Sequence, residues 1–236
     1  MHSKYLLCFF TILTIIGNSF SISSEEPTGA TMEKLKTTLQ EGFDRFINNN
    51  QTVKFNLHSQ NSSDVSSVSP SIIVVSCSDF SIPANLLFDQ PAGSIYMITN
   101  AGNIISQSTL AQLEYAIAKY QCESILVLGH LECAFLDYAA NAPRHLEFQE
   151  QSYLSSYIKK DAQEHLSSGK SKEEKGSRSY AEIYVIHQLK KIESLNKTDK
   201  SAAPVIILGA VADIKNGDPK MIFIDQKSIN QTCTEH

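Results

Sequence analysis

Apolar positions along the chain fall into two kinds of segment. Leu35, Leu39, Phe43, Phe46 and Ile47 recur at helical spacing and predict an amphipathic helix from about Met32 to Ile47, closed by Asn48-Asn49-Asn50. Ile72-Ile73-Val74-Val75 and Ile125-Leu126-Val127-Leu128 are short continuous runs instead, the pattern of strands buried on both faces. Further strands are predicted over Ser94–Thr99 and from Val205 to Leu208. Met221–Ile224 returns after the turn residues Asn216-Gly217-Asp218-Pro219 as an edge strand, so 205–224 reads as a hairpin. Helices are expected from about Ser108 to Tyr120, with Leu110, Leu113, Ala116 and Ile117 on one side, near Cys133, and from about Tyr180 to Leu195. Strands alternating with helices imply an α/β fold, a mostly parallel central β-sheet with helices on both faces.

The ends and the middle of the chain read differently. His2 and Lys4 precede an apolar run from Leu6 to Gly17, and Ser19 and Ser21 suit a cleavage after Ser21, so residues 1–21 are expected to be an export signal. A membrane anchor is the competing reading, but the run is short for a bilayer and Ser/Glu-rich sequence follows it. The expected organisation is a signal peptide at 1–21, a linker at 22–30, one domain at 31–226 and a polar tail at 227–236. The mature chain is then periplasmic or secreted, with no stable membrane anchor. Residues 51–69 read as an irregular connection and 169–179 as an exposed loop. A net charge of −5 without a basic stripe argues against nucleic acid as a partner.

Chemistry collects after the two buried runs. Cys77-Ser78-Asp79 follows the first, and His130-Leu131-Glu132-Cys133 follows the second. In a doubly wound sheet, the carboxyl edge of the strands is where functional groups gather. Cys77, His130 and Cys133 would make a Cys₂His zinc set with a fourth position open, the mark of a catalytic site. Buried cysteines as core filler, or a redox pair of Cys77 with Cys133, are the alternatives; the redox pair leaves His130 without a role. The signal takes Cys8, and if zinc takes Cys77 and Cys133, then Cys122 and Cys233 are left; they either pair in an oxidising compartment or stay as thiols.

These segments closely resemble the β-class carbonic anhydrases. The likeness includes Glu41-Gly42-Phe43-Asp44-Arg45-Phe46, Phe88-Asp89-Gln90, Asn100-Ala101-Gly102-Asn103-Ile104, Leu113-Glu114-Tyr115-Ala116 and Gly209-Ala210 through Gly217, and runs from about Met32 to Asp225 with a divergent piece at 141–180. The resemblance implies zinc held by Cys77, His130 and Cys133, and reversible hydration of CO₂ to bicarbonate and a proton by zinc-activated water. It implies a homodimer or higher homo-oligomer with the site near a subunit interface. It also gives Asp79 the catalytic role of accepting a hydrogen bond from that water, steadied by an arginine two residues later.

Ser81 stands at that arginine position, and a hydroxyl cannot replace a guanidinium fork. Asp79, unanchored beside a dication, is then expected to become the fourth metal ligand, closing the site. Three readings follow: a zinc carbonic anhydrase, a zinc-binding but catalytically inactive relative, or a hydrolase of a CO₂ analogue. None of the three arginines, Arg45, Arg144 and Arg178, is placed near Ser81 by sequence. Ala134 replaces a usual glycine, and Leu131 and Glu132 replace small residues, crowding the approach to the metal.

Overall fold

The computed structural model describes residues 29–53, 69–141, 179–193, 205–214 and 217–224. Helix α1 (Gly29–Ile47) leads to β1 (Ile72–Cys77), α2 (Ala84–Leu87), β2 (Ile95–Asn100) and a 3₁₀ turn over Ala101–Asn103. Helix α3 (Gln107–Tyr120), β3 (Ser124–His130), α4 (Ala134–Asn141), α5 (Tyr180–Glu193), β4 (Ile206–Asp213) and β5 (Lys220–Ile224) complete the order.

One five-stranded sheet runs β2-β1-β3-β4-β5. The first four strands are parallel and β5 is antiparallel to β4, as the hairpin reading requires. The continuous apolar runs fill both faces. On β1, Val74 enters one core cluster while Ile73 and Val75 enter the other; on β3, Leu126 and Leu128 are divided in the same way from Ile125 and Val127. Leu39 and Phe43 of α1 cover the first face with Leu87 of α2. Leu113 and Ala116 of α3, and Val185, Leu189 and Ile192 of α5, cover the second.

Local signals account for the element ends. Asn49 adopts φ 55° after α1, and the Asn50 N–H donates to Arg45 O at 2.8 Å. Ser106 caps α3 by accepting from Thr109 N–H, and Gln121 closes it in the left-handed region. Several boundaries differ from expectation, among them the end of β4, which runs on to Asp213. Helix α1 starts at Gly29, inside the expected 22–30 linker, because Ala30 and Thr31 carry nothing that breaks a helix. Strand β3 continues through Gly129 to His130, since Gly129 and His130 still pair with Val211 and Ala212 of β4. Among the described residues, no helix is long and apolar enough to cross a membrane. The expected signal, most of the linker, the 169–178 part of the exposed loop and the tail lie outside the described residues.

Candidate metal centre

Cys77 ends β1 and His130 ends β3, and these strands are direct neighbours, so parallel pairing alone brings both side chains to one edge of the sheet. Beyond β1 the chain turns at once: Phe80 N–H donates to Cys77 O at 3.1 Å, and Ser78 N–H donates to Asn100 O at 2.9 Å. That turn carries Asp79 back over the strand end. Beyond β3, Glu132 takes φ 53° and Cys133 stands directly before α4, its carbonyl accepting from Asp137 N–H at 3.0 Å. The left-handed residue is what folds Cys133 back towards His130. Leu131 packs into the second core cluster and Glu132 is exposed.

The four side chains named from sequence therefore meet. One ligand atom each of Cys77, Asp79, His130 and Cys133 lies within 4.8 Å of every other. Cys77, His130 and Cys133 are buried, and Asp79 is exposed. The sulfurs are 3.6 Å apart. A disulfide needs about 2.05 Å, whereas two Zn–S bonds of about 2.3 Å at the tetrahedral angle put the sulfurs about 3.8 Å apart. The spacing is that of two metal ligands.

The imidazole agrees. His130 Nδ1 lies 3.0 Å from Leu131 O, which can only accept, so Nδ1 carries the proton. Nε2 is then a lone-pair donor; it is buried and without a hydrogen-bond partner among the described residues. A buried polar atom left unpaired is costly unless something else engages it. The Phe80 ring, with its centroid 5.3 Å from the His130 ring and tilted by 30°, helps to hold that orientation.

The two thiols divide their charge unequally. The Cys133 thiol beside it holds the Cys77 thiol well below its usual range against the opposing effect of burial, with the His130 ring and the Asp79 and Gly102 N–H groups adding to the lowering. These N–H groups reach Cys77 Sγ at 3.4 and 3.2 Å. Cys133 is pushed the other way by its hydrogen bond with Cys77 and by burial. A zinc dication would take both as thiolates. The donor set fits zinc.

Asp79 has partners that the sequence did not indicate. Its Oδ2 accepts from Phe135 N–H at 2.8 Å and lies 3.7 Å from Cys133 Sγ. Among the described residues no guanidinium reaches it. Arg45 instead donates to buried Asp89 at 2.6 Å, and Arg144 and Arg178 lie outside the described residues. Cys122 is a free, buried thiol whose Sγ lies 3.2 Å from Pro70 O, while Cys233 lies outside the described residues.

Comparison with known proteins agrees with this geometry. A family model described as carbonic anhydrase matches residues 72–218. A carbonic anhydrase of Mycolicibacterium smegmatis is 36% identical over 64 residues, covering 27% of this chain and 31% of that protein. Carbonic anhydrase 2 of Mycobacterium tuberculosis is 32% identical over 73 residues, covering 31% of this chain and 35% of that protein. The matched stretch is thus about a third of the length of these curated relatives. In structure, the β-carbonic anhydrase CafA of Aspergillus fumigatus superposes with a TM-score of 0.55 at 17% identity, covering 87% of this chain and 96% of that one. A tetrameric β-carbonic anhydrase of Sordaria macrospora gives 0.54 at 18% identity, covering 82% and 97%. With the matched region extending from β1 to the β4–β5 turn and enclosing all four residues of the cluster, the chain belongs to the β-class carbonic anhydrase family.

Proposed function

We propose that the protein is a zinc-dependent carbonic anhydrase that hydrates CO₂ reversibly, working from a resting arrangement in which Asp79 closes the metal site. The observation that supports this reading is the convergence of Cys77, Asp79, His130 and Cys133 within 4.8 Å. Cys77 and Cys133 would hold the ion as thiolates and His130 through Nε2. Bound zinc supplies a Lewis acid that makes water a nucleophile near neutral pH. The two thiolates offset the charge of the ion, so the surrounding groups carry more of the work. The Gly102 N–H steadies Cys77, and the Leu131 carbonyl fixes the His130 tautomer. Asp79 Oδ1 has no protein donor among the described residues, which suits Asp79 to orient a water molecule and accept its proton.

A second reading is favoured by one distance. A Zn–S bond of about 2.3 Å and a Zn–O bond of about 2.1 Å at the tetrahedral angle place S and O about 3.6 Å apart. Asp79 Oδ2 and Cys133 Sγ are 3.7 Å apart. Asp79 is already at ligand spacing, and Ser81 supplies no cation to draw it away. A chain locked in that state would bind zinc without catalysis. Export through residues 1–21 and assembly into a homo-oligomer belong to the same proposal. The signal-like N-terminus supports the first, and the tetrameric Sordaria relative supports the second.

Stopped-flow CO₂ hydration by the zinc-loaded protein, beside Ser81→Arg, separates the readings. Slow hydration that rises by about tenfold or more with Ser81→Arg is expected, the scale of a lost neighbouring contact. Hydration only in Ser81→Arg would mark the natural chain as the locked form. Activity in neither would overturn CO₂ hydration and direct attention to other small electrophiles.

A further inference from the structure

The carboxylate of Asp79 is held by something, although the cation is missing. Its Oδ2 accepts the Phe135 N–H at 2.8 Å. Phe135 is the second residue of α4, so this N–H has no carbonyl partner within the helix and points out of its N-terminal end. The positive end of the helix dipole adds to the attraction for an anion there. The anchored oxygen is the same one that lies 3.7 Å from Cys133 Sγ, and a carboxylate oxygen has a lone pair for a donor and another for a metal.

The donor is itself held in place. A Cβ built on Gly102 would run into Cδ1 and Cε1 of the Phe135 ring, so the ring lies flush on the glycine backbone. Gly102 is buried at φ 70°, and its N–H contacts Cys77 Sγ at 3.2 Å. Phe135 is partly buried against the first core cluster. One contact chain therefore runs from Cys77 through Gly102 and the Phe135 ring to the Phe135 N–H and Asp79.

We infer that Phe135 and Gly102 are positioning residues that keep Asp79 in the metal-ligand set, the α4 backbone taking over the anchoring left vacant by Ser81 and holding the carboxylate towards the ion. This rests on the zinc-site reading above. It makes the closed arrangement a built state and not the mere result of a lost arginine. Turning Asp79 away would then require breaking its hydrogen bond from the Phe135 N–H.

The test is the visible spectrum of the cobalt(II)-loaded full chain as a function of pH, with metal affinity measured alongside. Wild type should show thiolate-to-cobalt bands that stay unchanged between about pH 6 and 9, where solvent on a divalent ion titrates. Phe135→Pro deletes both donor and ring at a position in the first turn where proline is tolerated, and Phe135→Ala removes the ring alone. Both should introduce a pH titration like that of Asp79→Asn, and weaken metal binding by about tenfold or more. Phe135→Tyr keeps donor and ring and should behave as wild type, which separates positioning from general damage. Gly102→Ala should resemble Phe135→Ala. A wild-type spectrum that titrates like Asp79→Asn, or Phe135→Pro and Phe135→Ala indistinguishable from wild type, would overturn the inference while leaving the metal site standing. Absence of thiolate-to-cobalt bands in wild type would overturn the metal-site reading and this inference with it.

Discussion

At the scale of single residues, two charges lie where sequence gave little indication of them. Asp89 has a fully buried side chain, takes φ 48°, and accepts from Arg45 Nε, Thr52 N–H and Oγ1, and Val53 N–H. Despite burial, the Thr52 and Val53 donors and Arg45 hold its carboxyl well below the usual range. A depressed carboxylate pKa stabilises the fold above the unfolded value near 3.8 and ceases to do so as pH falls through it towards the folded value. Asp89→Ala strands two backbone donors and a partly buried guanidinium. Urea unfolding at neutral pH should show a loss of about 3 kcal/mol, the low end for a broken buried pair because Arg45 is partly exposed. The gap from wild type should narrow below about pH 3.8. Arg45 and Asp89 both lie in segments that mark the family likeness, yet their pairing spans 44 positions and no local pattern encodes it. Asp79 is the contrasting case: its place in the cluster was legible from Cys77-Ser78-Asp79, but its donor was not, because a backbone N–H carries no residue signature.

At the scale of elements, periodicity carried most of the information. Runs of β-branched and leucine residues mark β1 and β3 because a strand covered by helices on both sides has no polar face to interrupt it. Boundaries were less legible: β3 reaches His130 only because β4 offers it partners, and those lie some eighty positions further along the chain. Close packing between elements was not legible at all. Gly42 on α1 meets the Phe88 carbonyl at the end of α2, and a Cβ there would clash with backbone that cannot rotate away. Gly42→Ala should therefore destabilise by about 2 kcal/mol despite its better helix propensity, overpacking outweighing about 1 kcal/mol of intrinsic gain. Thermal denaturation of the variant checks the sign: a raised Tm would show that α1 slides easily on α2.

At the scale of the whole molecule, the candidate metal site joins β1, β3 and the start of α4, so its occupancy should be felt by the entire fold. A metal bound at a hundredfold above its dissociation constant adds about 2.7 kcal/mol. For a chain of this size that is a Tm rise of about 5–10 °C. Scanning calorimetry of zinc-loaded and chelated protein should show the difference, and Cys77→Ser should abolish it; equal melting temperatures would mean that the four side chains hold no ion. Fold class, the strands and longer helices, and the grouping of Cys77, His130, Cys133 and Asp79 were legible in the residues, because hydrophobic period and residue chemistry are local properties; the short helix α2 was not, since four residues show no period. The sequence also showed the absence of arginine at Ser81. What holds Asp79 in that absence follows from packing and was hidden in the sequence. The Phe135 N–H reaches it because α4 starts where β3 and Glu132 direct the chain, and because the ring of Phe135 finds a glycine to rest on; both depend on segments far apart in sequence being packed against one another.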